Sequence, residues 1–113
     1  MVNQIAEERS SPQFSLTRIR ELARGGCVRY AYARVTCDIE NLGYSPDDVQ
    51  QCLASLEERH FRRSIRYEEQ NFWLDEYLIT YDSPSGCTDN LYIKLKLNRD
   101  CILILLSSFH RER

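Results

Sequence analysis

The period of the apolar residues changes once along this chain, near Phe61, and that change limits the fold classes open to it. Before Phe61 the apolar residues recur every three or four positions, as on one face of a helix. After Phe61 they alternate with polar residues, as in strands that are buried on one face. Helices followed by a run of strands are typical of an α+β domain, and 113 residues are enough for one such core.

Three segments before Phe61 have helical patterns. The first predicted helix has Ser15 as its N-cap and ends at Gly25, and a weaker pattern covers residues 32–42. The third helix has the clearest start, because Ser45 can cap it and Pro46 occupies its first position. These helices should pack on one side of the strands that follow.

Four strands are predicted after Phe61, forming an antiparallel sheet. They cover residues 61–67, 72–81, 91–97 and the apolar run from Cys101, with a turn at residues 98–100 between the last two. The expected fold is therefore α+β, with N-terminal helices packed on a C-terminal antiparallel sheet of about four strands.

The first thirteen residues are polar, contain Pro12 and show no periodicity. They are predicted to be a flexible N-terminal arm, and residues 14–113 a single domain. The net charge of −2 excludes a general electrostatic attraction to nucleic acid, so any such contact needs a local patch.

The five cysteines contain no CxxC pair and are not at metal-ligand spacing. No metal or cofactor is therefore expected, and free thiols in a reducing cytoplasm are the expected state. No secretory signal is recognised, and the longest apolar run is too short to span a bilayer.

The last two predicted strands bring together residues suited to chemistry on an anionic substrate. Leu91, Ile93, Leu95 and Leu97 should face the helices, which leaves Tyr92, Lys94 and Lys96 on the opposite face. His110 follows the final apolar run, and histidine titrates nearest to neutral pH. The adjacent acids Asp75 and Glu76 point to opposite faces of a strand, so they are not expected to act as a dyad.

Several short motifs resemble the MqsR (motility quorum-sensing regulator) toxin family. They are Leu22 to Arg29, Leu42-Gly43, Phe61 to Ser64, Trp73 to Asp75, Tyr92 to Lys94 and Ser108 to His110, in the family's own order. The resemblance covers roughly residues 15–113. It implies a RelE-like fold and a cytoplasmic endoribonuclease that cleaves single-stranded mRNA and arrests growth as the toxin of a type II toxin–antitoxin system. The partner it implies is an MqsA-like antitoxin that binds zinc and DNA.

The functional residues of that family match this chain unevenly. Tyr92 matches the family's tyrosine, whereas Arg63 replaces a lysine and keeps its charge with a different donor geometry. His110 replaces the family's terminal lysine, and Leu74 replaces a glutamine.

Metal-independent RNA cleavage needs a base for the 2′-hydroxyl, cations for the phosphorane and an acid for the leaving oxygen. We therefore expect His110 to act as general acid or base and Arg63 to hold the scissile phosphate. Tyr92 would position the 2′-hydroxyl or phosphate, or transfer a proton if its pKa is lowered. The residues expected to bind RNA through their charge are Arg62, Arg66, Lys94 and Arg111. The alternative is a catalytically inactive family member that acts as an antitoxin-binding or regulatory module.

Overall fold

The computed structural model describes residues 4–113 and contains the three predicted helices. They are α1 (Leu16–Arg24), α2 (Ala33–Leu42) and α3 (Pro46–Ala54), followed by one 3₁₀ turn, Glu58–His60. The predicted start of α1 is confirmed, because the Ser15 hydroxyl accepts a hydrogen bond from the Arg18 amide. Gly43 ends α2 in the left-handed region, at φ 80°.

Within residues 4–113 the strands form one six-stranded mixed sheet. Their bounds are β1 (Ile5–Arg9), β2 (Val28–Tyr30), β3 (Phe61–Tyr67), β4 (Leu74–Asp82), β5 (Thr88–Leu97) and β6 (Ile104–Arg111). The spatial order is β1-β3-β4-β5-β6-β2, with β2 parallel to β6 and the other neighbours antiparallel. The α+β class is confirmed, and the expectation of about four antiparallel strands is corrected to six in a mixed sheet.

Part of the predicted N-terminal arm forms strand β1. Ile5–Arg9 pairs with β3 at the edge of the sheet, although all five residues are exposed. A strand without a buried face has no apolar alternation, so the sequence pattern did not reveal it. Residues 1–3 of the predicted arm lie outside the described residues.

Strand β2 was also absent from the prediction, and the final strand begins later than expected. β2 is only three residues long and pairs with β6 at the opposite edge from β1. Cys101 lies in the turn before β6, at φ 56°. The Asn98 side chain accepts hydrogen bonds from the Ile102 and Leu103 amides and so holds this turn together.

One face of the sheet packs against the helices, and the other face carries the candidate site. Leu91, Ile93, Leu95 and Leu97 belong to the core, as their alternation predicts. We call the side opposite the helices, which carries Tyr92 and Lys94, the outer face. Within residues 4–113, no helix is both long enough and apolar enough to cross a membrane.

Candidate functional site

The register of four strands brings the predicted catalytic residues together on the outer face. Arg63 on β3 pairs with Glu76 on β4, which pairs with Lys94 on β5. Tyr92 on β5 pairs with His110 on β6. Tyr92 lies two residues before Lys94, so the two pairings form neighbouring rows on the same face.

Glu76 lies at the centre of this group, although no motif in the sequence pointed to it as a site residue. Glu76 is only 5% exposed to solvent. One carboxylate oxygen accepts a hydrogen bond from the Tyr92 hydroxyl, and the other accepts one from Arg63 Nε at 2.5 Å. A buried carboxylate is tolerated when charge and hydrogen bonds compensate it. Glu76 therefore joins the two catalytic candidates into one network.

The pKa of Tyr92 is raised above its ordinary value. The largest cause is burial, and the hydrogen bond to Glu76 and the charge of that carboxylate add to it. Tyr92 therefore stays protonated, and the condition of a lowered pKa that was attached to proton transfer by Tyr92 is not met. The hydrogen bond to Glu76 is also the first cause of a raised pKa at Arg63, whose guanidinium stays charged.

His110 stacks on the ring of Tyr92. The ring centroids are 5.2 Å apart and the planes differ by 19°. Its Nδ1 lies 2.8 Å from the carbonyl oxygen of Arg111. Because a carbonyl oxygen only accepts, this contact requires the proton on Nδ1, and Nε2 is left to exchange a proton with a ligand.

A concavity of about 450 Å³ lies over this network. Its lining consists of Arg62, Glu76, Leu78, Tyr92, His110, Glu112 and Arg113. That volume falls within the range of small-molecule sites, so it has room for one nucleotide unit.

The four predicted RNA-binding cations separate into two pairs. Arg62 lies at a bulge of β3, is exposed and lines the concavity. Lys94 lies on the outer face and donates a hydrogen bond to the Tyr67 hydroxyl at 2.7 Å. These two cations are therefore placed where a substrate over Tyr92 would meet them.

Arg66 and Arg111, the other two predicted RNA-binding cations, lie on the opposite face from the site. Arg66 is three positions after Arg63 on β3 and forms an ion pair with Glu7 at 2.7 Å. Arg111 follows His110 on β6, and its Nε donates to the buried Asp89 at 3.1 Å. Adjacent residues of a regular strand alternate between faces, so Arg111 faces away from the site although it follows His110 in sequence.

Leu74 and Asp75 directly precede Glu76 on β4 and lack its role. Asp75 points to the side opposite the outer face. There its carboxylate accepts hydrogen bonds from the Gln13 and Phe14 amides. The prediction that the two acids do not form a dyad is thereby confirmed. Leu74 is 3% exposed and pairs with Ile65, so it offers no polar group to a substrate. In residues 4–113, no cluster of three or more His, Cys, Asp or Glu side chains could hold a metal ion.

Most of this chain matches a known protein family. A family model described as "Motility quorum-sensing regulator, toxin of MqsA" matches residues 11–111. No curated protein matches the chain. The matched range contains every residue of the network described above and excludes strand β1.

Proposed function

This chain belongs to the family of motility quorum-sensing regulators, the toxins of MqsA, and from that premise we propose that it is a metal-independent endoribonuclease that cleaves single-stranded mRNA. The observation that carries the proposal is the network of Glu76, Tyr92 and Arg63 beside the stacked His110. Together these groups supply a proton acceptor, a fixed cation and a second group for proton transfer.

The proposed reaction begins with the 2′-hydroxyl of the substrate at the Tyr92 oxygen. The 2′-hydroxyl proton moves to that oxygen while the Tyr92 proton moves to the carboxylate of Glu76. The 2′-oxygen forms a bond to phosphorus, and the bond from phosphorus to the 5′-oxygen breaks. Tyr92 is neutral before and after this step, which is consistent with its raised pKa.

His110 supplies the second proton transfer in this proposal. In its charged form it donates a proton from Nε2 to the leaving 5′-oxygen, so the products are a 2′,3′-cyclic phosphate and a 5′-hydroxyl. Arg63 stabilises the charge that develops on the phosphorane oxygens, with Arg62 and Lys94 as further cations. The requirement for a 2′-hydroxyl restricts the reaction to RNA.

Membership of this family also suggests a protein partner for this chain. The family's description names MqsA as the protein whose toxin it is. We propose that an MqsA-like antitoxin, with zinc-binding and DNA-binding parts, neutralises this chain in the cytoplasm and that growth arrest follows when it is absent. We also propose that the fold is related to that of the RelE toxins.

The role of His110 can be tested with a substrate whose leaving group needs no protonation. The purified protein and the H110A variant are assayed in EDTA on an RNA oligonucleotide and on its analogue with a bridging 5′-sulfur at the cleavage site. H110A should lose about 10²–10⁴-fold in rate on the ordinary RNA and recover most of that loss on the sulfur analogue. Y92F should be impaired on both substrates, because Tyr92 acts on the attacking 2′-hydroxyl and not on the leaving group.

The H60N variant is the matched control, since His60 is the other histidine and lies outside the site. It should cleave both substrates like the unchanged protein. An equal loss for H110A on both substrates would remove His110 from the role of general acid. If the unchanged protein cleaves neither substrate, with or without ribosomes, the inactive antitoxin-binding module becomes the better description.

A further inference from the structure

The guanidinium of Arg63 has a carboxylate on each side. Its Nε and Nη2 face Glu76, at 2.5 and 3.4 Å. Its Nη1 donates to Glu8 of strand β1 at 2.8 Å. Glu8 therefore occupies the donor of Arg63 that Glu76 leaves open, where a substrate phosphate would bind.

The two carboxylates differ in how firmly they are held. The Glu76 side chain is 6% exposed, whereas that of Glu8 is 56% exposed on an edge strand with no buried residue. An exposed ion pair is weakly favourable and is screened by salt. A phosphate can therefore displace Glu8 from Arg63 while Glu76 stays in place.

Strand β1 lies outside the part of the chain that matches the family, since the match begins at residue 11. We propose that Glu8 is a built-in competitor for the RNA phosphate at Arg63, so that β1 lowers the affinity of this chain for its substrate. The inference rests on the proposed function, because it takes RNA as the ligand of Arg63.

The neighbouring residue Glu7 provides a matched control on the same strand. Glu7 is 54% exposed and pairs with Arg66 at 2.7 Å, on the opposite face of the sheet from Arg63. The variants E7Q and E8Q each remove one negative charge and one exposed ion pair of β1. Only E8Q frees a cation in the site.

The test measures binding of a 2′-O-methyl RNA oligonucleotide, which cannot be cleaved, by fluorescence anisotropy over a series of salt concentrations. E8Q should bind about threefold more tightly than the unchanged protein at low salt, as expected from the loss of one exposed ion pair. The advantage of E8Q should shrink as the salt concentration rises, because salt screens the exposed ion pair that competes with the phosphate. E7Q should resemble the unchanged protein in both quantities.

Each other outcome has a defined meaning. Equal tightening by E7Q and E8Q would reduce the effect to net charge and overturn the inference. Unchanged binding by E8Q, with RNA cleavage by the unchanged protein, would overturn the inference and leave the proposed function standing. Tighter binding by E8Q without cleavage by any variant would support the competition and contradict the catalytic proposal. Thermal unfolding of both variants checks that the fold is retained. We expect that it is, because both side chains are exposed.

Discussion

At the scale of single residues, the neighbours Asp75 and Glu76 show how environment assigns different roles to the same chemistry. The Asp75 carboxylate accepts hydrogen bonds from backbone amides, and burial raises its pKa more than those bonds lower it. Glu76 is compensated by Arg63 and Tyr92 and faces the concavity. Asp75 thus holds the segment before α1 against the sheet, whereas Glu76 is available for chemistry.

The proposed relay predicts that Glu76 and Tyr92 act as one unit. E76Q keeps a side chain of the same shape without a proton-accepting carboxylate, and Y92F removes the hydroxyl that connects it to the substrate. Each variant should lower the cleavage rate by about 10²–10³-fold, and the double variant should be no slower than the slower single variant. A double-mutant cycle on single-turnover rates measures this, and losses that multiply would show that the two residues act separately.

At the scale of elements, helix α3 has an N-terminus that its own sequence defines. The Ser45 hydroxyl accepts from the Asp48 amide at 3.2 Å, and the Asp48 carboxylate accepts from the Ser45 amide at 2.7 Å. Pro46 occupies the first turn, where a missing N–H costs no hydrogen bond. Val49, Cys52 and Leu53 of the same helix are fully buried, so the cap sets where this apolar face begins.

The cap of α3 should contribute measurably to stability. S45A removes the acceptor for the Asp48 amide and should lower the free energy of unfolding by about 1 kcal/mol. S10A, at an exposed position outside the helices and strands, should change it by less than about 0.5 kcal/mol. Urea denaturation of both variants gives the comparison, and equal effects would mean that the capping bond contributes little.

At the scale of the whole molecule, His60 couples folding to pH. The residue is 7% exposed, and its Nδ1 accepts a hydrogen bond from the Glu57 amide at 2.9 Å. Burial is the largest cause that lowers its pKa from the ordinary 6.5, and the charge of Arg59 lowers it further. The folded chain therefore favours neutral His60, whereas the unfolded chain takes up a proton at the ordinary value.

The sign of the pH effect follows from this shift. The contribution of His60 to the free energy of unfolding is complete above about pH 6.5 and is lost as the pH falls through the lower, folded-state pKa. H60N keeps an acceptor near the position of Nδ1 and does not titrate. The free energy of unfolding of the unchanged protein should therefore fall relative to that of H60N as the pH is lowered from 7.5 toward 5.5. Urea denaturation across that range measures the difference, and a constant difference would contradict the assignment.

The local sequence determined the helices and the long strands, because their signals lie within a few residues of each other. Caps at Ser15 and Ser45 and the alternation from Leu91 to Leu97 are local, and the structure has these elements at nearly the predicted bounds. The resemblance to the toxin family is also carried by the sequence, and the family match over residues 11–111 confirms it. Single-domain organisation over residues 14–113 stays a prediction.

Only the tertiary structure decided the composition of the site, because that depends on register and on which face each residue occupies. A slip of one residue in a strand moves every side chain to the other face. The observed register brings Glu76 between Arg63 and Tyr92 and places Arg66 and Arg111 on the other side of the sheet. The edge strand β1, which has no buried face of its own, forms by pairing with β3, and that pairing brings Glu8 to Arg63.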